Sequence, residues 1–235
     1  RPRARAVTAC WAVVPAAGSG SRLGAAEPKQ FLELEGRSLL SWSLHALLDA
    51  VPLEGVVVAL PAGMSLPAAE QSDPRVLACT GGASRAESVA AALAELPAAG
   101  RDWVLVHDAA RPCVPASDVR RLVHSVTASG EGAILAQPLA DTLKRADGRA
   151  RVVATVDRSD LWRALTPQMF RVGELRAALA AALTSGHAIT DEASAMELAG
   201  HPVHLVEGSA ANIKVTYPGD LPLAAFWLAR QQEAA

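Results

Sequence analysis

The segment Gly55–Leu60, read GVVVAL, has no polar side of its own. A strand of that kind needs cover on both faces, and such strands belong to parallel sheets sandwiched between helices. Cys10–Pro15 (CWAVVP) and Trp103–His107 (WVLVH) share its character, and Gly132–Ala136 reads as a further strand. Between these runs the apolar spacing turns helical. Ser38–Ala50 brings Leu39, Leu40, Trp42, Leu44, Leu47 and Leu48 into helical register. Ser84 and Glu87 form a capping box that opens a helix over Arg85–Leu96. Ser117 is placed to cap Asp118–Ser129, with Gly130 as its stop. Later helices are expected over Glu174–Thr184, over Asp191–Ala199 with Thr190 as cap and Gly200 as end, and over Leu221–Gln232. Late strands are expected at Val203–Glu207 and Ile213–Thr216. The βαβα rhythm predicts one α/β domain over residues 6–235 with a mostly parallel sheet. Ligands of such sheets sit beyond the carboxyl ends of the strands.

The rhythm breaks once. Asp141–Val156 contains LKRADGR followed by Val152-Val153, and an Asp-Gly pair between short strand-like runs is a hairpin signal. The inserted arm, over about residues 137–157, is either a surface excursion or a reach toward a partner subunit.

Composition removes several function classes. With 51% hydrophobic residues in 235, the chain can bury a substantial core. A net charge of −2 lacks the basic excess of a nucleic-acid-binding domain, so no nucleic-acid partner is expected. The three cysteines, Cys10, Cys79 and Cys113, are far apart and form no CxxC pair. That argues against a disulfide framework or structural zinc and fits a reducing compartment. Without a continuous apolar run of 18 residues, no membrane span is expected. The apolar stretch Ala6–Ala17 runs straight into a glycine loop and reads as a strand, not a leader.

That loop, Pro15-Ala16-Ala17-Gly18-Ser19-Gly20-Ser21-Arg22-Leu23-Gly24, follows the first buried strand. Glycines there allow backbone N–H groups to approach phosphate oxygens, and Arg22 adds a fixed positive fork. A dinucleotide fingerprint does not fit, because the third glycine comes one residue late and the second strand ends Leu60-Pro61 with no acid. No Gly-Lys-Ser/Thr is present for a Walker loop. A tight glycine turn with a surface arginine is the plain alternative. The chain has nineteen arginines but three lysines, Lys29, Lys144 and Lys214. Against such an arginine preference, Lys29 in Pro28-Lys29-Gln30 and Lys214 in Asn212-Ile213-Lys214-Val215-Thr216 read either as point charges for phosphate or as ordinary surface lysines. Asp108 ends the strand WVLVH, where a carboxylate holds a phosphate-bound Mg²⁺ or simply caps the turn before Pro112. His107 reads as a packed histidine. Ser19, Ser21 and Cys113 have no base nearby in sequence, which argues against covalent catalysis.

The blocks PAAGSGSRLGAAEPKQFLELEGRSLLSWSLHALL, GGASRAESV, VLVHDAARPCV, TVDRSDLWRALTPQMF, TDEASAMELAG and VEGSAANIKVTYPGDL occur in this order. Together they resemble the 2-C-methyl-D-erythritol 4-phosphate cytidylyltransferase family of the non-mevalonate isoprenoid pathway, from about Cys10 to Leu228. The resemblance implies a Rossmann-like, three-layer nucleotidyltransferase domain with a mostly parallel mixed sheet and a protruding β-hairpin arm. It implies transfer of the cytidylyl group of CTP to methylerythritol phosphate with release of pyrophosphate, in a cytoplasmic homodimer joined through the arm. Pro15, Ala16, Ala17, Gly18, Gly82, Ser88 and Ala109 match nucleotide-binding positions, with Gly82 and Ser88 reading cytosine. Asp108 would hold Mg²⁺, with Mn²⁺ as the alternative. Arg22 and Lys29 would stabilise charge on the α-phosphate and departing pyrophosphate. Arg158 and Lys214 would orient the attacking phosphate. Asp108, Arg111, Thr142, Arg158, Thr190 and Lys214 match substrate-holding positions, some reaching across the dimer. Ala83 stands where many relatives carry an acid, and Ser19 and Ser21 replace bulkier residues; neither change touches a charged role. The rival readings are a ribitol 5-phosphate cytidylyltransferase and, more distantly, a non-catalytic nucleotide-binding protein.

Overall fold

The computed structural model describes residues 9–18 and 28–233. Arg22 and the glycine-rich stretch around it lie outside the described residues.

Strand β1 (Cys10–Pro15) leads into a tiny ribbon of β2 (Glu33–Leu34) and β3 (Arg37–Ser38) and then helix α1 (Leu39–Leu48). Ser38 caps α1 through its hydroxyl, which accepts from the Ser41 N–H at 3.0 Å. Strand β4 (Gly55–Leu60), short helix α2 (Ala68–Gln71) and strand β5 (Val76–Thr80) follow. Helix α3 (Arg85–Glu95) opens with the expected Ser84–Glu87 capping box. Next come β6 (Trp103–Val106), α4 (Ala116–Ser129) and β7 (Gly132–Pro138). The arm is β8 (Leu143–Ala146) and β9 (Val152–Val156). The chain ends with β10 (Trp162–Arg171), α5 (Val172–Thr184), α6 (Glu192–Leu198), β11 (Val203–Glu207) and α7 (Asp220–Glu233).

Seven strands form the main sheet in the order β11-β7-β10-β6-β1-β4-β5. All neighbours run parallel except β10, which is antiparallel to both β6 and β7. Alternation along β1 shows why the sheet needs two covers. Ala12 and Val14 join Leu40, Leu44, Val119 and Leu122 from α1 and α4 on one face. Val13 joins Val89, Leu93, Leu175 and Leu179 from α3 and α5 on the other. A third cluster, with Leu39, Cys113, Val215, Ala224 and Leu228, seats α7. From β1 the chain steps outward to β4 and β5, then returns to lay β6 on the opposite side of β1. Connections therefore part at the carboxyl ends of β1 and β6, the switch point where open α/β sheets bind ligands.

Several local expectations need correction. Ser117 does not cap α4: the helix starts one residue before it, with Pro115 at the cap position and no side-chain cap, because Pro115 already fixes an extended entry. Gly130 ends α4 as expected, in the left-handed conformation. Thr190 does not cap α6; Asp191 does, through a reciprocal box with Ser194. Residues 213–216 form no strand. Val215 N–H bonds Ala110 O at 2.8 Å, and the segment is pinned to a loop instead of a ladder. The Asp-Gly pair is not a two-residue turn either. Asp147 accepts backbone N–H groups from Arg149 and Arg151, and Ala150 takes a positive φ of 58°, so the tip is wider. Strands β5 and β10 were not expected, and β10 lies inside the sheet.

Candidate active site

Four chain segments meet at the switch point. The end of β1 and the turn after it supply Pro15, Ala16, Ala17 and Gly18; the turn after β5 supplies Gly82; the turn after β6 supplies Asp108 and Ala109; residues 214–216 close the rim. They enclose a cavity of about 380 Å³ that Lys29, Arg85, Ser88 and Lys214 also line. The glycine pair is a steric requirement. A Cβ on Gly81 would lie 2.5 Å from the Ala17 Cβ, and one on Gly82 would lie 2.3 Å from the Glu87 Cβ. The capped start of α3 and the β1 loop thus approach closely only because neither residue has a side chain. Ser88 accepts from the Gly82 N–H at 3.1 Å and donates to Ser84 O at 2.8 Å, which fixes this wall.

Gln30, unnoticed in the sequence, straps the β1 loop. Its buried amide donates to Ala16 O at 2.5 Å and Gly18 O at 3.1 Å. Neighbouring Lys29 donates to Val215 O at 2.8 Å, tying the loop to the far rim. Arg111, buried behind the strand end, donates to Asn212 O at 2.8 Å, and Asn212 donates to Thr166 O at 2.7 Å. These bonds hold residues 212–216 against the sheet. Val215 turns into the α7 cluster while Lys214 turns to the cavity.

Asp108 is the charged centre. Its Oδ1 accepts from Arg85 Nε at 2.9 Å and its Oδ2 from Lys214 Nζ at 2.8 Å, with Arg111 Nε at 3.6 Å. Burial alone would raise its pKa, but Arg85, Lys214 and Arg111 outweigh it and hold the carboxyl far below its ordinary range. Asp108 is therefore ionised at every working pH. Arg85 is the second residue the sequence reading missed. It donates from Nη1 and Nη2 to both oxygens of Glu192, at 2.6 and 2.9 Å. The first turn of a helix disfavours a cation, so an arginine opening α3 was itself a signal of recruitment.

His107 behaves as read. Its Nδ1 faces the Thr166 hydroxyl at 3.0 Å and its Nε2 faces Arg111 O at 3.1 Å. A carbonyl can only accept, so Nε2 carries the proton and Nδ1 accepts from Thr166. Burial pushes the imidazole pKa down to about 4. His107 is a neutral brace for the strand end.

A smaller cavity of about 220 Å³ adjoins the first and shares Arg85, Asp108 and Lys214 with it. Thr190, Asp191 and Thr166 line its other side. Of the residues singled out from sequence, Thr190 opens onto this second cavity and Arg111 stands behind Asp108. Thr142 and Arg158 line neither; both are exposed and flank the arm.

The cluster suits polyanions. Among the described residues, Arg85, Lys214 and Arg111 gather around Asp108, Arg85 also pairs with Glu192, and Lys29 stands on the wall of the larger cavity; the loop and turn add backbone N–H groups. No group of three or more metal-ligating side chains occurs among the described residues. A single carboxylate is still compatible with Mg²⁺, which completes its shell with phosphate and water. Oδ1 of Asp108 accepts one N–H and retains further acceptor capacity.

The chain is similar to known proteins in both sequence and fold. Residues 10–230 match the profile of the 2-C-methyl-D-erythritol 4-phosphate cytidylyltransferase family. A Pseudomonas putida protein of that name is 52% identical over 220 residues, covering 91% of this chain and 93% of its own. The crystal structure of the Francisella tularensis enzyme of the same name superposes with a TM-score of 0.81 at 33% identity, over 94% of this chain and 100% of the other. That of the Thermus thermophilus enzyme superposes with a TM-score of 0.78 at 37% identity, over 93% and 98%.

Proposed function

The chain belongs to the 2-C-methyl-D-erythritol 4-phosphate cytidylyltransferase family, and from that premise we propose that its two adjoining cavities divide the substrates, CTP in the larger and the acceptor phosphate in the smaller. The enzyme transfers the cytidylyl group of CTP to 2-C-methyl-D-erythritol 4-phosphate, giving 4-diphosphocytidyl-2-C-methyl-D-erythritol and pyrophosphate, in isoprenoid precursor biosynthesis. The observation that carries the division is the wall they share: Arg85, Asp108 and Lys214 border both.

The chemistry needs no protein nucleophile. The acceptor phosphate oxygen, already an anion, attacks the α-phosphorus; the new P–O bond forms as the bond to the bridging oxygen breaks, and pyrophosphate leaves. The barrier lies in pressing one polyanion against another, so fixed cations and in-line placement supply the catalysis. In this reading Arg22 and Lys29 meet the triphosphate and the charge that develops on it. Lys214, at the shared wall, draws the acceptor phosphate into line. Gly82 and Ser88 read the cytosine edge. Asp108 would hold a Mg²⁺ bound to the triphosphate, which neutralises charge on the phosphates when present.

Homodimerisation through the arm is part of the same proposal. Strand β9 exposes Val152 and Val153, and Leu161, just before β10, and Trp162, at its start, are also exposed. Such a surface supports burial against a second copy. Thr142 and Arg158, which line neither cavity of their own chain, would then serve the partner's acceptor site. A cytoplasmic setting is supported by the three free thiols; among the described residues no helix is long and apolar enough to cross a membrane.

The test is pyrophosphate release with CTP and Mg²⁺, run in parallel with methylerythritol phosphate and ribitol 5-phosphate. Release with methylerythritol phosphate is expected. Release with ribitol 5-phosphate alone would overturn the acceptor while keeping the phosphate-site argument.

A further inference from the structure

Glu192 has no contact with either cavity, yet both depend on what it grips. Its carboxylate is fully buried and holds the two Nη groups of Arg85. The third donor of that guanidinium, Nε, points to Oδ1 of Asp108 at 2.9 Å. A guanidinium is a rigid planar fork, so fixing two of its nitrogens fixes the direction of the third. Glu192 thereby aims the donor that one oxygen of Asp108 accepts, while the other oxygen accepts from Lys214.

Glu192 also sits directly behind the acceptor-side wall. Thr190 and Asp191 precede it, and both line the smaller cavity. Gln168 fastens the same segment, donating to Asp191 Oδ2 at 2.8 Å and accepting from Ala193 N–H at 2.9 Å. Arg85 opens α3, the helix that carries Ser88 on the nucleotide side. The Arg85–Glu192 pair is thus the tie between the nucleotide wall and the acceptor wall. Burial raises the Glu192 pKa and Arg85 draws it back, so the carboxylate depends on its partner. Stability alone does not account for the arrangement, because well-packed apolar residues serve as well as a buried ion pair.

We propose that Glu192 is a positioning residue of cytidylyl transfer: through Arg85 it fixes Asp108 and the spacing of the two cavities, without touching either substrate. The proposal rests on the cytidylyltransferase reading and extends it to a residue that acts through another. It predicts damage to alignment of the two phosphates and not to recognition of CTP.

The experiment compares the full-length wild type with Glu192→Gln, Arg85→Lys and the paired apolar variant Arg85→Met/Glu192→Leu. Turnover is followed by pyrophosphate release, CTP affinity by calorimetry and folding by thermal unfolding. The paired variant guards against loss of fold, since it leaves no buried charge alone. The expected result is a folded Glu192→Gln with unchanged CTP affinity, a kcat lower by about 10–100-fold and a raised KM for the acceptor, and a folded paired variant with kcat lowered at least as far. Arg85→Lys, which can reach one carboxylate but not hold both, should shift kcat the same way. A folded paired variant with wild-type kcat would overturn the proposal and leave the pair structural. CTP affinity that falls in step with kcat would also overturn it, by making Arg85 a nucleotide ligand. Silence of the wild type with methylerythritol phosphate would overturn the underlying reaction instead.

Discussion

Gln30 offers the cleanest test of how the nucleotide loop is held open. Its side chain is 3% exposed and its amide is shared between two carbonyl oxygens, Ala16 O and Gly18 O. Gly18 is exposed and its carbonyl can turn to water. Ala16 is buried, so Gln30→Ala leaves its carbonyl without that donor. A buried acceptor stripped of its partner costs about 1–3 kcal/mol. For a domain of this size that corresponds to a fall in Tm of about 2–12 °C. If the cost falls on the loop conformation that receives CTP, Kd rises by about 5–150-fold. Gln30→Glu keeps the shape but turns acceptors toward both carbonyls, so its effect should exceed that of alanine. The assay is calorimetric CTP binding beside thermal unfolding. Unchanged CTP affinity in both variants, in protein that remains folded, would refute the strap.

Lys29→Ala should lower kcat by about 10²–10³ while the protein stays folded, as expected for one preorganised charge at a developing anion; near-normal turnover would remove Lys29 from the mechanism. Arg22→Ala should behave alike. His107 links stability to pH. Its folded-state pKa of about 4 lies below the ordinary 6.5, so its contribution is complete above 6.5 and is lost as pH falls toward 4. Urea unfolding at pH 7 and pH 4.5 should show a drop of about 2 kcal/mol from this group, and a histidine resonance assigned to His107 that protonates at pH 6.5 would contradict it. Replacing the arm strands with a short turn should yield a monomer by light scattering with a weakened acceptor KM; an armless protein that stays dimeric and fully active would sink the cross-subunit role of Thr142 and Arg158.

What could be read from the sequence was what local physics dictates. Continuous apolar runs announced β1, β4 and β6, and an acid at the end of such a run marked Asp108. The Ser84–Glu87 box was legible because both partners lie within one helical turn. Strand β10 was hidden because Pro167 and Gln168 interrupt its apolar pattern. In the fold the register shifts between Ala164 and Gln168, and Gln168 is satisfied by Asp191 and Ala193. Such a bulge is where a sheet tolerates proline. Residues 213–216 alternate like a strand because Ile213 and Val215 face α7 while Lys214 faces the cavity. The period was right and the ladder was missing. Arg85 and Glu192 lie 107 positions apart, and nothing local joins them.

The closing of the site by residues 212–216 bears on how the protein comes into being on the ribosome. Lys29 meets Val215 across 186 positions, and Asp108 meets Lys214 across 106. A nascent chain that has emerged only through β10 can already pair β1 with β4 and β6, yet it lacks Lys214 and the rim that Lys29 binds. It also lacks α7, whose Ala224 and Leu228 hold Val215 in place. Contacts of such long range form late. Translation thus delivers the β1 turn and the strands beside it first and Lys214, which lines both cavities, almost last, so a prematurely stopped chain has an incomplete site, however well its sheet has formed.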